Sequence, residues 1–451
     1  MAIWAEMKRI AALLGNYARQ PGRLPGLLAA AAGGLRRPGL SGVVPDASRL
    51  PASGASRHSV LRVGTVPATA RPARDRASGT VLVVVHDLGI GGAQEVALQF
   101  ADWLLRETGH RVKFVAMRDG PQRPRFEAVA ELFCIGRNWG GERRALRRRL
   151  ERWAGPDVRG ILVNSVASGG FYALWRRDVP SIAFIHELEQ ILDRHRPAFA
   201  RILARADRIV AGSGAVRDVL ARQPGLRPDR LVQAYPFIEP ARVDPGGRAA
   251  MRAALGAGPL DFLVCGCGVL HWRKSPDVFL DVAARLGGGP QGNLRFVWIG
   301  GGPDGKRCRQ RIRRERLERV SITGFLPDVT GALHAADLFL LPSQEDAFPL
   351  SALHAAEAGV PVICFRDAGG MPEFVARGCG LALPFGDSAA MARAVLDYAA
   401  DPERRAREGA AGRQAVAEEF VVDRGAPGLY AHLLAEMHPP RRRNPVGLAA
   451  E

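Results

Sequence analysis

The chain alternates between short apolar runs typical of buried strands and longer stretches in which apolar residues recur at helical spacing. Its first clear run, Val81–Val85, is continuous and mostly β-branched, which is typical of a strand buried on both faces. Strands and helices in alternation indicate a parallel sheet covered by helices. After a helix predicted over 93–105, further strands are predicted over 112–117, 160–164, 181–185 and 208–211.

The same alternation stops and starts again in the middle of the chain. Residues 240–258 are rich in Pro, Gly and Ala. The strands predicted after this segment cover 261–267, 294–299, 321–323, 338–341 and 361–365. The pattern therefore predicts two doubly wound, Rossmann-like α/β lobes. We assign them to residues 79–245 and 246–435, followed by a tail over 436–451.

The first 78 residues have a different composition, dominated by Pro, Gly, Ala, Ser and Arg without a sustained period. We expect a basic leader that is largely disordered or forms one short helix. Residues 1–80 contain 12 Lys/Arg and 3 Asp/Glu, which supply half of the net charge of +18. A basic balance favours anionic partners. The sequence has neither a zinc-finger pattern nor a basic stripe interleaved with aromatic residues, which argues against nucleic acid.

The cellular compartment is predicted from features that the sequence lacks. No apolar run reaches the roughly 18–20 residues that cross a bilayer, and the first 20 residues do not resemble a secretory signal. The six cysteines include no CxxC pair, so they do not indicate a disulfide framework. We therefore expect a cytoplasmic protein.

Two groups of residues in the first lobe follow predicted strands. Gly91 and Gly92 lie before a helix, where glycine lets a ligand approach the backbone and free N–H groups can bind an anion. A dinucleotide fingerprint would have a third glycine at Gln94. His186 and Glu187 follow another strand, and carboxyl ends of parallel strands face the ligand crevice. The alternatives are a tight turn without a ligand and a histidine that only supports the fold.

The second lobe has a cationic pair and a glycine-rich turn at strand ends. Arg273 and Lys274 lie at its first strand-to-helix connection, where a cation can neutralise a diphosphate. Gly301 lies in the turn Gly300–Pro303 after the next strand. The alternatives are an exposed helix start and an ordinary turn.

Acidic and glycine residues follow at two later helix starts of the second lobe. Glu345 and Asp346 precede a predicted helix that contains His354. Carboxylates at a helix start complement the helix dipole, and they can also accept hydrogen bonds from sugar hydroxyls. Gly369 and Gly370 precede another helix, where backbone N–H groups are suited to phosphate.

As an ordered set, these motifs resemble those of glycosyltransferase family 4 over roughly residues 80–435. In the first lobe the resemblance rests on Gly91-Gly92-Ala93 with Glu95, His186-Glu187 and Ala206–Ser213. In the second lobe it rests on Arg273-Lys274, Gly300–Pro303, Thr323–Phe325, Ala336–Ser343 and Gly359–Val362. It implies the GT-B fold, with two lobes facing each other across a cleft. It also implies retaining transfer of a sugar from a nucleotide-sugar donor, without a metal or other cofactor.

The resemblance also implies where each substrate binds. The donor would bind mainly to the second lobe, and a glycan or lipid-linked acceptor of envelope or exopolysaccharide synthesis would bind to the first. The implied catalytic residues are His186, Lys274 and Asp346. The implied donor-binding residues are Gly91, Gly92, Arg273, Gly301, Glu345, His354, Gly369 and Gly370.

This sequence departs from the family pattern at two places. Members usually have an arginine beside the phosphates where this chain has Val269. The family's paired glutamates correspond here to Asp346 and His354. A neutral imidazole accepts only one hydrogen bond from ribose hydroxyls, so the affinity for the nucleotide and its identity stay open.

For a retaining enzyme of this type we expect no protein nucleophile. The protein would position the substrates and stabilise the leaving diphosphate. Two alternatives remain open on the same fold. One is a sugar-nucleotide epimerase or phosphorylase, and the other is a catalytically degenerate interaction subunit.

A basic amphipathic helix is predicted over 142–152, flanked by Trp139 and Trp153 and with Leu146 and Leu150 between its arginines. Such a helix favours an anionic membrane surface, so we predict contact with the inner face of the membrane. The alternative is a solvated arginine-rich helix. The candidate residues for the contact are Arg147, Arg148 and Arg149.

Overall fold

The computed structural model describes residues 79–136, 143–241, 247–287 and 292–438. The predicted leader over 1–78, Trp139 and the tail beyond residue 438 lie outside them. Within these ranges the chain forms two parallel sheets with helices packed on them, which confirms the predicted fold class. In the described part of the chain, no helix combines the length and apolar character needed to cross a membrane.

The first sheet has seven parallel strands among the described residues, in the order β3-β2-β1-β4-β5-β6-β7. Its strands are β1 (Thr80–Val85), β2 (Arg111–Ala116), β3 (Glu131–Cys134), β4 (Val158–Asn164), β5 (Ser181–Ile185), β6 (Arg208–Ala211) and β7 (Leu231–Gln233). Its helices are α1 (Gly92–Glu107), α2 (Arg123–Val129), α3 (Arg143–Ala154), α4 (Glu189–Arg194), α5 (Arg196–Arg205) and α6 (Gly214–Ala221).

The second sheet has six parallel strands in the same described ranges, in the order β10-β9-β8-β11-β12-β13. Its strands are β8 (Phe262–Cys267), β9 (Leu294–Ile299), β10 (Val320–Ile322), β11 (Leu338–Leu341), β12 (Val362–Phe365) and β13 (Gly380–Leu383). The later helices are α7 (Gly247–Ala254), α8 (Pro276–Leu286), α9 (Gly305–Arg314), α10 (Val329–His334), α11 (Leu350–Glu357), α12 (Met371–Val375), α13 (Ser388–Ala400), α14 (Pro402–Ala415) and α15 (Val422–Met437).

The continuous apolar run of β1 is explained by burial on both faces of the sheet. Val81, Val83 and Val85 pack into the core cluster that includes α1, whereas Leu82 and Val84 pack into the cluster on the opposite face. Every residue of the strand is buried. All of the strands predicted from the sequence are present within two residues of their predicted bounds.

Three strands were not predicted from the sequence. They are β3, β7 and β13, which lie at the edges of the two sheets. Each has three or four residues, and their side chains are mostly half-buried. A short edge strand needs no continuous apolar run because one side of it is partly open to water, so the signal that revealed β1 is missing.

The last helix returns to the first lobe. Ile238 N donates to Phe420 O (2.8 Å) and Val422 N donates to Ile238 O (2.9 Å), so the two connections between the lobes run side by side. Helix α15 then packs into the core of the first lobe through Leu429 and Leu433. Residues 422–435, which the sequence pattern assigns to the second lobe, pack on the first lobe in this structure.

Candidate active site between the two lobes

The strand order reverses once in each sheet, and several of the predicted site residues follow the strands at these reversals. In the first sheet the reversal lies between β1 and β4, and in the second between β8 and β11. Ligands of open α/β sheets bind at the carboxyl ends of the strands at such a point. Gly91 follows β1, Lys274 follows β8 and Asp346 follows β11. The lobes meet here, because a Cβ built on Gly92 would lie 3.5 Å from Leu350 Cγ of the second lobe.

The loop between β1 and α1 is held from within the first lobe. Asp87 Oδ1 accepts hydrogen bonds from Gln94 Nε2 (2.6 Å) and from Gly89 N (2.9 Å). Gln122 Nε2 donates to Gly89 O (2.7 Å). Gln94 is buried, so the residue that departs from the dinucleotide fingerprint has a structural role in fixing the loop.

His186 at the end of β5 is connected to this loop through Asn164 at the end of β4. His186 Nε2 lies 2.8 Å from Asn164 Oδ1, and Asn164 Nδ2 donates to Ala93 O (2.7 Å). Because this amide orientation makes Oδ1 the acceptor, we assign the proton of the imidazole to Nε2. Burial lowers the pKa of His186 to about 4, although Glu187 opposes the shift. The ring is therefore neutral at pH 7, with Nδ1 as its acceptor atom.

The carboxylate of Glu187 is engaged inside the first lobe. It accepts hydrogen bonds from Ser165 Oγ, from Val166 N (3.1 Å) and from His186 N (2.9 Å). Ser165 has a φ of 81°, which is uncommon for a residue other than glycine. Glu187 thus stabilises an unusual turn after β4.

Asn164 is a site residue that the sequence motifs do not reveal. The signal that could have revealed it is its position, because it is a polar residue at the end of a buried strand next to the reversal of strand order.

Lys274 and Asp346 form an ion pair at the carboxyl edge of the second sheet. Lys274 Nζ donates to Asp346 Oδ2, and Ser343 Oγ donates to the same oxygen (3.1 Å). The two charged side chains are 17% and 11% exposed. The structure therefore brings together two of the three predicted catalytic residues, with the aspartate as the counter-ion of the lysine.

Arg273 and Glu345 lie beside this pair. Arg273 O accepts a hydrogen bond from Gln344 N (2.8 Å), which joins the loop after β8 to the loop after β11. Glu345 is 7% exposed, and its Oε1 has no hydrogen-bond partner among the described residues. Burial raises the pKa of Glu345, and the nearby guanidinium groups of Arg273 and Arg194 oppose the shift.

The backbone at Gly369 and Gly370 packs against the loop that follows β11. Gly369 has a φ of 141°, and a Cβ there would lie 1.7 Å from Asp346 O, so only glycine fits. Gly370 N donates to Ala347 O (2.9 Å). The expectation that the Gly370 N–H is free for a phosphate is therefore wrong for this structure, because the fold itself uses that donor.

The glycine-rich turn after β9 also has a packing role. Gly301 O accepts a hydrogen bond from Leu270 N (2.8 Å). A Cβ on Gly300 would lie 2.3 Å from Gly268 O, and one on Gly302 would lie 2.7 Å from Leu270 N. The glycines thus let the backbone of 268–270 pack directly against the backbone of 300–302 next to Lys274. A contact between Gly301 and a donor stays a prediction.

His354 belongs to a cluster around Glu357. His354 Nδ1 lies 3.5 Å and His334 Nε2 lies 3.6 Å from Glu357 Oε2, and Ala241 N donates to Glu357 Oε1 (2.8 Å). Burial raises the pKa of Glu357, but the two nearby imidazoles and the hydrogen bond from Ala241 N outweigh this effect and lower the pKa to about 2. The imidazole at the position of the family's ribose-binding glutamate is therefore next to a carboxylate of its own lobe.

The predicted basic helix exists as α3, but its apolar side is already covered. Leu150 is buried in the core of the first lobe, and Leu146 and Trp153 pack against the same cluster. Lys113 Nζ lies 4.9 Å from the centroid of the Trp153 ring. The expectation that these leucines face a membrane is wrong, so only the arginines remain for such a contact. Of these, Arg148 and Arg149 are exposed and Arg147 is half-buried.

Within the described ranges, no group of three or more His, Cys, Asp or Glu side chains is arranged to hold a metal ion. The expectation of a reaction without a metal or another cofactor stays a prediction, because it rests on the resemblance and not on this observation.

Two parallel α/β lobes with polar residues at facing strand ends define the GT-B class of architecture. Anabaena Alr3699/HepE, solved in complex with UDP and glucose, shares it with a TM-score of 0.70 at 20% identity, over 79% of this chain and 100% of that one. The model of Glycosyltransferase Family 4 matches residues 90–242. The model of Glycosyl transferases group 1 matches residues 261–401.

Curated relatives point to the same family. The D-inositol 3-phosphate glycosyltransferase of Rhodococcus opacus is 30% identical over an alignment of 308 positions, which covers 61% of this chain and 69% of that protein. The protein of the same name from Saccharomonospora viridis is 35% identical over an alignment of 219 positions, which covers 46% of this chain and 50% of that protein. The chain spans between half and about two thirds of the first curated relatives it matches. It belongs to glycosyltransferase family 4.

Proposed function

We propose that this protein transfers a sugar from a nucleotide-sugar donor, bound by the second lobe, to a hydroxyl group of an acceptor bound by the first. The observation that carries the proposal is the half-buried Lys274–Asp346 pair at the carboxyl edge of the second sheet. Ala347, the next residue, packs against the core of the first lobe. A cation at this position is therefore close to the strand ends of both lobes.

Lys274 is the group that would stabilise the leaving diphosphate. In this structure the charge of Lys274 is balanced by Asp346, and a bound diphosphate would share Lys274 with that carboxylate or replace it as the partner. Charge-assisted contacts of this kind act most strongly where water is excluded. Asp346, held also by Ser343, then becomes available to a hydroxyl group of the transferred sugar.

The expected reaction retains the configuration of the sugar. The bond between the anomeric carbon and the diphosphate oxygen breaks as the acceptor oxygen bonds to the same face of that carbon. The acceptor proton passes to a diphosphate oxygen, so the balance requires no protein nucleophile. His186 is neutral at pH 7, and its Nδ1 can accept a hydrogen bond from a sugar or acceptor hydroxyl near the reacting carbon.

For the acceptor we propose a glycan or lipid-linked molecule of envelope or exopolysaccharide synthesis. The names of the relatives favour a second candidate, D-inositol 3-phosphate. At the acceptor edge of the first sheet, Arg118 Nη2 lies 3.3 Å from Asp87 Oδ2. An acceptor phosphate would have to compete with Asp87 for this guanidinium, so the test includes both kinds of acceptor.

The test is a transfer assay with uridine, guanosine and adenosine diphosphate sugars. The uridine donors come first because Alr3699/HepE was solved with UDP-glucose. Mass spectrometry should detect an acceptor that has gained one sugar and an equal amount of nucleoside diphosphate, and NMR coupling constants should show a retained anomeric configuration. A donor that changes without an acceptor would indicate the epimerase alternative. Absence of donor binding would favour the degenerate interaction subunit.

We further propose that the acceptor is met at an anionic membrane surface and that α3 contributes charge to the contact. Because the leucines of α3 are packed into the protein, the attraction is electrostatic, on the order of 1 kcal/mol for each basic residue near the surface. Binding to vesicles should rise with anionic lipid and fall with salt.

Replacing Arg147, Arg148 and Arg149 with glutamine should weaken vesicle binding. The matched control replaces three exposed arginines of the second lobe, Arg309, Arg313 and Arg314. Co-sedimentation that is equal for neutral and acidic vesicles, or equally weakened in both variants, would contradict a role for α3.

A further inference from the structure

Glu373 of the second lobe is bound by groups outside its own sheet. Its carboxylate accepts hydrogen bonds from Gly214 N (3.0 Å) and Ala215 N (2.9 Å) at the start of α6 in the first lobe. It also accepts one from Tyr235 Oη (2.8 Å) in the connection between the lobes. First-turn N–H groups have no partner within their helix and attract an anion. Glu373 is therefore the hydrogen-bond acceptor that the second lobe supplies to α6.

The surroundings leave little room for this contact to slide. A Cβ on Gly370 would lie 2.5 Å from Ser213 Cβ, so the backbone of the donor-side loop rests directly on the residue before α6. The ring of Tyr235 packs against Phe348 at 5.0 Å and Phe420 at 5.2 Å between centroids. Both ends of the contact are thus fixed by close packing.

We propose that Glu373 is a positioning residue that couples the Gly369–Gly370 loop of the donor side to the acceptor lobe. The inference rests on the proposed function, because it assumes that this loop borders the bound donor. Glu373 is three residues beyond Gly370, on a helix of five residues that begins directly after the loop. A ligand that fixes the position of the loop therefore also restricts the position of the Glu373 carboxylate. The coupling favours the arrangement in which both strand edges face each other, as a closed lobe pair requires.

The amides of Gly214 and Ala215 report on the contact, since Glu373 is their acceptor in this structure. Hydrogen exchange followed by mass spectrometry on peptides covering 212–220 compares wild type with Glu373→Gln. The isosteric amide keeps the shape, but it loses the charge and replaces one of the two acceptor oxygens with an NH2 donor, so at least one of the two backbone hydrogen bonds is lost. Without nucleotide, we expect these amides to exchange at least tenfold faster in the variant. The control is Glu403→Gln, an exposed glutamate of the same lobe, which should behave as wild type.

A second comparison separates coupling from a purely structural contact. With UDP bound, exchange at 212–220 should slow further in wild type but not in Glu373→Gln, while the dissociation constant for UDP stays within about threefold. Tyr235→Phe, which removes one of the three hydrogen bonds, should give an intermediate result.

Unchanged exchange in Glu373→Gln without nucleotide would overturn the proposal. So would UDP-dependent protection that survives the substitution. If wild type binds no nucleotide, the proposed function fails, and the nucleotide-free comparison still decides whether Glu373 holds α6.

Discussion

The two strand edges that meet in the cleft are built in different ways. At the first-lobe edge, His186 is neutral and is held by Asn164, while the Glu187 carboxylate is satisfied by backbone and hydroxyl donors. At the second-lobe edge, charged side chains are held by one another, as in the Lys274–Asp346 pair.

This difference indicates how each edge would respond to a ligand. A hydrogen-bonded framework is preorganised, so a ligand gains contacts with little rearrangement. When an anionic ligand binds, the ion pair must open, or the cation must be shared between the carboxylate and the ligand. Part of the binding free energy of the ligand therefore depends on the cost of weakening that pair. At His186 and Glu187 the acceptor edge should therefore be sensitive to geometry, whereas at Lys274 and Asp346 the donor edge should be sensitive to charge.

The largest effect is expected from removing the cation of the donor edge. Lys274→Ala deletes the charge proposed to meet the diphosphate and should slow transfer about 10²-fold or more, the usual cost of losing one electrostatic contact with the charge that develops on the leaving group. Initial rates at saturating donor measure it. Lys306→Ala, which changes an exposed lysine of the same lobe, should leave the rate unchanged, and equal rates for the two variants would contradict the role of Lys274.

A smaller effect is expected at the acceptor edge. His186→Ala should fold normally and lose most of its transfer activity. Asn164→Ala should lose about tenfold, because the imidazole keeps its place but loses the partner that fixes its tautomer. Circular dichroism measures whether the variants fold, and initial rates measure their loss of transfer activity. If His186→Ala were destabilised by several kcal/mol and kept its specific activity, the histidine would be structural only.

The pH dependence of stability should separate the two edges. The pKa of His186 is about 4 in the fold and about 6.5 in an unfolded chain. The unfolded state therefore binds the extra proton between these values, and the stability contributed by this residue is lost as pH falls from about 6.5 to about 4. The free energy of unfolding of wild type should be lower at pH 4.5 than at pH 7.5, and His186→Gln should reduce this difference by on the order of 2 kcal/mol. An unchanged difference would show that the ring is not buried as a neutral group.

The smallest effect is expected at His354. The substitution His354→Glu restores the carboxylate that family members have at this position, so the affinity for the nucleotide should rise or stay unchanged. The new carboxylate would face Glu357, where His354 Nδ1 now lies 3.5 Å from Oε2, and like charges at this spacing cost about 0.5 kcal/mol of stability. Calorimetry and thermal melts measure the two effects, with His354→Gln as the uncharged control. Weaker binding in His354→Glu alone would mean that the imidazole has its own role toward the donor.

Strands buried on both faces could be predicted from the sequence because their composition is set by burial, as in β1. The short edge strands and the return of α15 to the first lobe could not, since they depend on which surface the rest of the fold leaves open. The same holds within the site. Lys274 was predicted from its place after a strand, but its pairing with Asp346 and the contact of Glu373 with α6 join residues far apart in the chain.

The central claim is that the second lobe binds a nucleotide-sugar through Lys274. Thermal melts of wild type, Lys274→Ala and Lys306→Ala with a panel of nucleotide sugars test it directly. The account predicts that at least one donor stabilises wild type and Lys306→Ala by about 2.7 kcal/mol at 100 times its dissociation constant, and that Lys274→Ala loses most of this stabilisation. Equal stabilisation of all three proteins, or no stabilisation of wild type by any donor, would contradict it.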